Sequence, residues 1–223
     1  MNMSVKEFAH MVDITAVTAY ATETDAREVV ELAKKYDFIA LGVMPCFFPL
    51  AKKLLGQSDI IMDGGVGFPS GAEKTMIKVI QTRDLIADGC RELDMVINVA
   101  FLKSGMYKEV ENDINAVVEA AAGVPIKVIL EVCYLTDDEI KRACDIVIKS
   151  GAAFVKTATG WANPTTIEHV KLITSHVGNS IKVKAAGGIR DLSTFMAMKD
   201  LGVSRFGMGK NAVKKFISEL EAG

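Results

Sequence analysis

The sequence predicts an α/β fold, namely a single-domain (β/α)8 TIM barrel that spans residues 1–223. Short apolar and β-branched runs alternate eight times with helical stretches, the pattern of parallel strands joined by crossover helices. The length of 223 residues also fits one such barrel, which takes about 200 to 250 residues. A doubly wound open sheet is the alternative topology, but no G-x-G-x-x-G turn follows the first predicted strand.

The predicted strands are apolar nearly throughout, as expected for a barrel wall that is covered by helices and filled by side chains. They cover residues 11–16, 38–44, 60–67, 92–98, 126–132, 153–158, 181–186 and 205–209. A helix follows each strand, at residues 24–36, 48–55, 73–88, 106–122, 136–150, 164–177, 192–201 and 211–220. Thr136 and Glu139 match a capping box, and Asn163 before Pro164 offers a cap and a first-turn proline. A short helix at residues 5–10 is expected to close the bottom of the barrel.

Composition and charge exclude several classes of function. The 26 basic and 28 acidic residues are scattered and give a net charge of −2, without the basic stripe that nucleic-acid binding requires. No run is apolar enough to cross a membrane, and Glu7 and His10 interrupt any secretory segment. The four cysteines lack metal-ligand and disulfide spacing, so we expect free thiols, no metal site and a cytoplasmic location.

Charged residues inside the predicted strands mark the candidate active site, because barrel sites gather at the carboxyl ends of strands. Lys156 lies among apolar and small residues, where burial lowers the pKa of its amine and makes it nucleophilic toward a carbonyl. Lys184 has the equivalent place on the next strand, about 4.8 Å away, and its ammonium lowers that pKa further. Asp94 needs these ammonium groups as partners and is suited to relay protons. Asp13 is the fourth such residue.

A structural salt bridge inside the barrel is the alternative interpretation of these charges. Lys182 shares the alternation of Lys184 but lies nearer the start of the strand, so it ranks below Lys184. Glu131 receives no assigned role. The three histidines lie outside the predicted strand ends and are not expected to act as bases: His10, His169 and His176.

Two glycine-bearing turns after the last two strands predict a site for a phosphorylated substrate. Glycines let backbone N–H groups approach an anion, and the start of the following helix adds partial positive charge. The alternative is that these glycines only permit tight turns, but two such turns on adjacent strands favour phosphate. The residues concerned are Gly187, Gly188, Arg190, Gly207, Gly209 and Lys210.

Segments spread over nearly the whole chain resemble the 2-deoxyribose-5-phosphate aldolase family. They are VDITAV, GVGFPSG, ELDMVIN with the following LKSG, KVILEVCYLTDDE, FVKTATG, VKAAGGIR and LGVSRFG. The resemblance implies a class I aldolase that reversibly cleaves 2-deoxy-D-ribose 5-phosphate into D-glyceraldehyde 3-phosphate and acetaldehyde, without metal or organic cofactor. It also suggests a homodimer.

The resemblance assigns roles to the charged residues. It implies that Lys156 forms the Schiff base, that Lys184 tunes its pKa, and that Asp94 acts through water in proton transfer. Four further residues are expected to bind the substrate: Asp13, Thr15, Thr159 and Gly160.

Three departures from the family pattern bear on the substrate. Gly42 stands where the family usually has cysteine and Met44 where it often has asparagine or tyrosine, so one wall of the pocket is altered. After Gly207, residues 208–210 (MGK) replace a small residue and two serines, and Lys210 is expected to substitute for their hydroxyl groups as a point charge. The chain ends ELEAG, so the proton-transfer role of a terminal tyrosine falls to water or another group.

Two rival functions stay open. One is an aldolase of the same mechanism that acts on a different aldehyde or sugar phosphate, which the altered pocket positions allow. The other is a barrel that binds a sugar phosphate without turning it over. Binding alone has no need of two buried lysines, and this disfavours the second rival.

Overall fold

The computed structural model describes residues 3–222 and contains a closed barrel of eight parallel strands. The strands are β1 (Val12–Ala16), β2 (Ala40–Val43), β3 (Ile61–Val66), β4 (Glu92–Val96), β5 (Ile126–Ile129), β6 (Phe154–Lys156), β7 (Lys182–Ala186) and β8 (Arg205–Gly209). They pair in sequence order, and β8 returns to pair with β1. This closure confirms the predicted (β/α)8 barrel and excludes the open sheet.

Ten α-helices lie within the described residues. They are α1 (Val5–Ala9), α2 (Glu23–Tyr36), α3 (Phe48–Leu55), α4 (Thr75–Asp88), α5 (Val99–Lys103), α6 (Tyr107–Ala120), α7 (Asp137–Lys149), α8 (Ile167–Val177), α9 (Leu192–Asp200) and α10 (Lys210–Ala222). Every predicted helix is present, with ends that differ by at most three residues from the prediction. Helix α5, five residues long, was not predicted.

Several strands end earlier than the apolar pattern indicated. Strand β5 stops at Ile129, and Glu131 then turns the chain with a left-handed φ of 55°. Leu130 and Val132 in this turn are fully buried. The apolar run therefore continues past the end of β5, and Leu130 still donates its amide to Lys156 O over 2.9 Å, so composition alone cannot mark the end of the strand.

Helix caps confirm one sequence prediction and correct another. Glu139 and Thr136 form the predicted capping box at α7, with the Thr136 amide 2.8 Å from the Glu139 carboxylate. The predicted start of α8 at Asn163 and Pro164 is wrong. Thr166 caps that helix instead, because the preceding segment is held to β7 by the Thr165 amide, which donates to Gly187 O over 3.0 Å.

The short helix α1 lies at the end of the barrel where the strands begin, as predicted. Ile39, just before β2, donates its amide to Ala9 O over 3.2 Å. Phe8 is fully buried and contacts aromatic rings just before β2 and on helices α9 and α10: Phe38, Phe195 and Phe216. This aromatic contact fixes α1 against the lower rim.

No helix among residues 3–222 is long and apolar enough to cross a membrane. The same residues contain no group of three or more His, Cys, Asp and Glu side chains arranged to hold a metal ion. All four cysteines lie in this part of the chain and are free thiols, which confirms that prediction.

Candidate active site

The interior of the barrel holds a cluster of buried charges, which we call the barrel charge cluster. Alternate residues of a strand point inward, and on seven of the strands these positions carry ionisable side chains. The cluster contains four cations and four carboxylates: Lys127, Lys156, Lys184 and Arg205 with Asp13, Asp63, Glu92 and Asp94. With every group ionised, its net charge is zero.

Lys156 and Lys184 lie side by side, as the sequence predicted. Their Cα atoms are register partners on β6 and β7. Asp94 joins the two side chains, because its Oδ2 lies 2.6 Å from Lys156 Nζ and 2.8 Å from Lys184 Nζ. The predicted trio therefore forms one hydrogen-bonded unit in the barrel.

The two lysines have opposite electrostatic environments. Burial lowers the pKa of Lys156, and the ammonium of Lys184 lowers it further, against the attraction of Asp94. Burial also opposes the charge of Lys184, but contacts of 2.5 Å with Asp13, 2.9 Å with Asp63 and 2.8 Å with Asp94 hold its pKa well above the usual range. Lys156 is thus the amine that loses its proton more readily, beside a lysine that keeps its charge.

Asp94 stays ionised in this setting. Burial alone would raise the pKa of its carboxyl, but Lys156, Lys184 and Lys127 together hold that pKa well below the ordinary value. The side chain can accept a proton only when one of these partners gives one up. Asp94 is therefore suited to pass protons rather than to store them.

Sequence reasoning missed half of the barrel charge cluster. Lys127 Nζ lies 3.0 Å from Asp63 Oδ1 and 2.8 Å from Glu92 Oε2. Arg205 contacts Asp13 at 2.7 Å and Glu92 at 3.2 Å. The signal was present, since Glu92 precedes Asp94 by two residues and must share its face of β4.

Asp13 lies deeper than the prediction placed it. The side chain is fully buried between Lys184 and Arg205, below the cavity that the other predicted residues line. Burial opposes its ionisation, but Lys184, Lys127 and Arg205 lower its pKa to about 2. The expected contact of Asp13 with substrate is thus corrected to a contact with Lys184.

A cavity of about 330 Å³ opens over Lys156 at the carboxyl ends of the strands. It is lined by every other residue that the sequence assigned to substrate: Thr15, Thr159, Gly160, Gly187, Gly188, Arg190, Gly207, Gly209 and Lys210. Trp161, which sequence reasoning missed, also lines it and donates its indole N–H to Val17 O over 2.5 Å. The sequence therefore predicted much of the wall after β6, β7 and β8, but missed the loop after β1, which contributes Val17, Thr18, Tyr20 and Ala21.

The turn after β7 requires glycine at two positions. Gly187 and Gly188 have φ angles of 91° and 80°, and a Cβ on Gly188 would overlap the ring of Pro164. Helix α10 begins at Lys210, directly after β8, so its first backbone N–H groups lie at the same end of the cavity. Both features suit an anion, as the glycine pattern predicted.

Lys210 is not the free point charge that the sequence suggested. Its ammonium pairs with Asp25 at 2.7 Å and with Glu28, both on α2. The hydrogen bonds that Lys210 donates to Asp25 and Glu28 raise its pKa, so the charge is retained but already compensated. Binding of an anion by Lys210 requires sharing with, or release from, these two carboxylates.

The loop after β6 is fixed by Glu131, the residue without an assigned role. Thr159 donates its amide over 3.3 Å and its hydroxyl to the Glu131 carboxylate, and Trp161 donates its amide to Thr159 Oγ1 over 3.0 Å. Glu131 therefore orients two residues of the cavity wall.

Gly42, which the sequence placed in the pocket wall, does not line this cavity, but its position accepts a small side chain. A Cβ there would meet Thr15 Cγ2 at 3.4 Å and Asp63 O at 3.5 Å, which is ordinary contact. Lys182, ranked low, is exposed at the start of β7. The histidines lie away from the cavity, in surface pairs with Asp37 and Asp145 and in the α8 cap: His10, His176 and His169.

Comparisons with known proteins agree with this geometry. Residues 10–212 match the model of the DeoC/LacD family aldolases. The chain is 47% identical to a deoxyribose-phosphate aldolase of Klebsiella pneumoniae, over 99% of this chain and 90% of the relative. The solved structure named "QR15, an Aldolase" superposes with a TM-score of 0.89 at 33% identity, covering 100% of this chain and 99% of the other. The Aeropyrum pernix deoxyribose phosphate aldolase, described as having a unique tetrameric structure, gives 0.89 at 25% identity over 98% and 93% of the two chains.

Proposed function

The chain belongs to the DeoC/LacD family of aldolases, and from that premise we propose that it forms a Schiff base on Lys156 to cleave 2-deoxy-D-ribose 5-phosphate reversibly into D-glyceraldehyde 3-phosphate and acetaldehyde. One observation carries the proposal. Lys156 lines the cavity and is only 6% exposed as a residue, and the pKa of its amine is lowered beside the charged Lys184. A buried amine of this kind is the nucleophile that class I aldolase chemistry needs.

In the synthetic direction, the neutral Lys156 amine attacks the carbonyl carbon of acetaldehyde and gives a carbinolamine. Loss of water then gives the iminium ion, whose positive charge makes the methyl protons acidic. Removal of one methyl proton yields the enamine, which attacks the aldehyde carbon of D-glyceraldehyde 3-phosphate. Hydrolysis of the resulting iminium releases the product and returns the free amine.

Asp94 and Lys184 serve these steps without bonding to carbon. Asp94 accepts a hydrogen bond from Lys156 over 2.6 Å, so it can take the proton that leaves the amine and return one through water. Lys184 stays positive and keeps the neighbouring ammonium form of Lys156 unfavourable. The two lysines thus have different roles: Lys156 is the nucleophile, and Lys184 is the permanent positive charge beside it.

The phosphate group fits the end of the cavity formed by the turns after β7 and β8. Gly187 and Gly188 leave backbone N–H groups uncovered, Arg190 adds a full charge, and the start of α10 adds a partial one. Lys210 contributes when the phosphate draws it from Glu28. These groups favour the phosphorylated aldehyde over its neutral analogue.

Cleavage of deoxyribose 5-phosphate should be compared with cleavage of deoxyribose, using wild type and Lys156→Met. We expect at least about tenfold higher kcat/KM for the phosphorylated sugar, because each charge-assisted contact contributes about 1.5 kcal/mol or more. Lys156→Met should be inactive on both sugars. Equal cleavage of the two sugars would reject the phosphate assignment, and binding of the sugar phosphate without cleavage would reject the enzymatic proposal.

A different aldehyde partner is the second candidate, and the compensated charge of Lys210 favours it. Steady-state assays with unphosphorylated aldehydes as acceptors decide between the two. A higher kcat/KM with a neutral aldehyde than with glyceraldehyde 3-phosphate would support the second candidate.

We further propose that residues 1–223 act as one catalytic domain, in the cytosol, and as a homodimer. The Aeropyrum pernix deoxyribose phosphate aldolase is described as tetrameric, so the test must distinguish a dimer from a tetramer. Light scattering of the purified protein at assay concentration should give twice the mass of the 24.1 kDa chain. A mass of one or four chains would reject the dimer.

A further inference from the structure

Asp63 is a buried carboxylate that does not line the cavity but is linked to the nucleophile. Its Oδ2 lies 2.9 Å from Lys184 Nζ, and Lys184 in turn lies 2.8 Å from Asp94 Oδ2. Asp94 Oδ2 lies 2.6 Å from Lys156 Nζ. Three short contacts therefore connect Lys156 to Asp63 through the barrel interior.

The charge balance of the barrel charge cluster depends on the state of Lys156. With all eight groups ionised, the four cations and four carboxylates cancel. The reactive form of Lys156 is the neutral amine, and it leaves one buried negative charge in excess. A net charge inside a protein is unfavourable unless a proton compensates it. One carboxylate of the cluster is thus expected to hold the proton that Lys156 loses.

Of the four carboxylates in the cluster, Asp63 has the weakest ion pairs with the neighbouring cations. Asp13 is held by Lys184 and by Arg205, at 2.5 and 2.7 Å. Asp63 has no arginine contact, and it shares both of its lysines with other carboxylates. Its Oδ1 lies 3.0 Å from Lys127 Nζ but receives no aligned hydrogen bond.

Glu92 and Asp94 are each held more firmly than Asp63. Glu92 accepts two contacts from Arg205 besides the 2.8 Å contact with Lys127. Asp94 accepts hydrogen bonds from both Lys156 and Lys184. Among the four carboxylates, a proton therefore costs least at Asp63.

We propose that Asp63 is a positioning residue that stores the proton released by Lys156, so that the free amine forms without leaving a net charge inside the barrel. This inference rests on the proposed Schiff-base function. Its proton balance is closed. Lys184 gives a proton to Asp63 and is reprotonated by Asp94, which in turn takes the proton of Lys156. Asp94 and Lys184 end as they began, Lys156 becomes neutral, and Asp63 becomes a carboxylic acid.

The surroundings of Asp63 support this role from every neighbouring strand. Burial and the negative charge of Asp94 raise its pKa to about 6, against the attraction of Lys127 and Lys184. Strand β2 places only apolar residues and glycine beside β3. Asp63 also interacts electrostatically with, or lies on the strand beside, five other ionisable groups: Asp13, Cys90, Glu92, Lys156 and Arg205.

The test is the pH dependence of adduct formation between Lys156 and acetaldehyde, trapped with cyanoborohydride and measured by peptide mass analysis between about pH 5 and pH 9. In the wild type, the Lys156–Asp63 pair has two states with the same number of protons. One is neutral Lys156 with protonated Asp63, and the other is charged Lys156 with ionised Asp63. Their ratio is then independent of pH between the two titrations of the pair. As the pH is lowered, the logarithm of the rate should therefore fall in two steps, with a plateau between them.

Asp63→Asn should show a single step, because the proton of Lys156 can then leave only to solvent. Below that step, the rate should fall tenfold for each pH unit by which the pH is lowered. That step should lie at least about one unit lower than the upper wild-type step, since the lost carboxylate no longer favours the ammonium of Lys156. Asp63→Glu should restore the plateau. Glu92→Gln is the matched control, because it removes a carboxylate of the same cluster that does not contact Lys184, and it should keep the plateau.

A wild-type profile with one step, or a plateau that persists in Asp63→Asn, would overturn this inference alone. Loss of the plateau in Glu92→Gln as well would assign the effect to cluster charge in general and would also overturn it. Absence of any adduct on wild-type Lys156 would overturn the proposed function itself, and this inference with it.

Discussion

The floor and the mouth of the cavity are built in different ways. At the floor, Lys156 belongs to a cluster in which strands fix every charge and burial makes each ion pair depend on the others. At the mouth, the groups suited to phosphate are backbone amides of glycine turns, an exposed Arg190, and a half-buried Lys210 that pairs with another helix. A change at the floor therefore affects several ion pairs together, whereas a change at the mouth affects one contact.

This difference separates the chemistry from the choice of substrate. A change in the cluster alters the protonation of the nucleophile, because buried charges interact strongly. A change at the mouth alters one screened contact and should affect KM more than kcat. Variants at the two ends are therefore expected to differ in both the size and the kind of their effect.

The largest effect is expected for Lys184→Leu at the floor. This change should lower kcat/KM by at least about a hundredfold, because it removes the positive charge that keeps Lys156 reactive. It should also destabilise the protein by about 3 to 5 kcal/mol, since Asp13 and Asp63 lose a buried partner. Lys182→Leu, on the same strand but exposed, is the matched control and should leave both quantities nearly unchanged. Near-normal turnover of Lys184→Leu would contradict the division of roles between the lysines.

An intermediate effect is expected for Gly188→Ala at the mouth. The added Cβ would overlap Pro164 in a residue whose φ is 80°, so the turn must shift. We expect about a tenfold rise in KM for the phosphorylated sugar, because strain of this kind costs about 1 to 3 kcal/mol. Gly178→Ala has a similar positive φ of 51° but open space around it, and it should change stability without changing KM. Equal KM values for both variants would place the phosphate elsewhere.

The smallest effect is expected for the ion pair of Lys210. Glu28→Gln should lower KM for the phosphorylated sugar by about threefold, and Lys210→Ala should raise it by a similar factor, as expected for one partly screened charge. Lys214→Ala provides the control, since Lys214 also pairs with Glu28 but lies outside the cavity lining. If Glu28→Gln and Lys210→Ala leave the KM for the unphosphorylated sugar unchanged, the contact of Lys210 is with the phosphate. An unchanged KM in Lys210→Ala would exclude Lys210 from the site.

The sequence predicted the barrel and the glycine-bearing parts of the cavity wall because both follow from local patterns. Apolar runs and helix starts repeat in order, and glycines mark the turns that close the cavity. The predicted strands were too long because turn residues such as Leu130 are also apolar and buried, although β5 ends at Ile129. Asn163 and Pro164 have the pattern of a helix start, but the bond between Thr165 and Gly187 delays the helix.

Contacts between distant segments explain what the sequence could not predict. The pairing of Lys210 with Glu28 joins residues that are 182 positions apart, and no local pattern indicates it. Asp13 was placed at the surface of the pocket because its depth depends on the stagger of β1 against β8. Lys127 and Asp63, in contrast, were within reach, since a charged residue on the inward face of a buried strand already signals an ion pair.

The identity of the nucleophile is tested most directly by reduction with borohydride in the presence of acetaldehyde, followed by peptide mass analysis. We expect one ethyl group on Lys156 and none on Lys184, because burial lowers the pKa of the first amine while three carboxylates raise that of the second. The modification should disappear in Lys156→Met. An adduct on Lys184 or on another lysine, or no adduct in the wild type, would contradict the assignment of Lys156 as the Schiff-base residue.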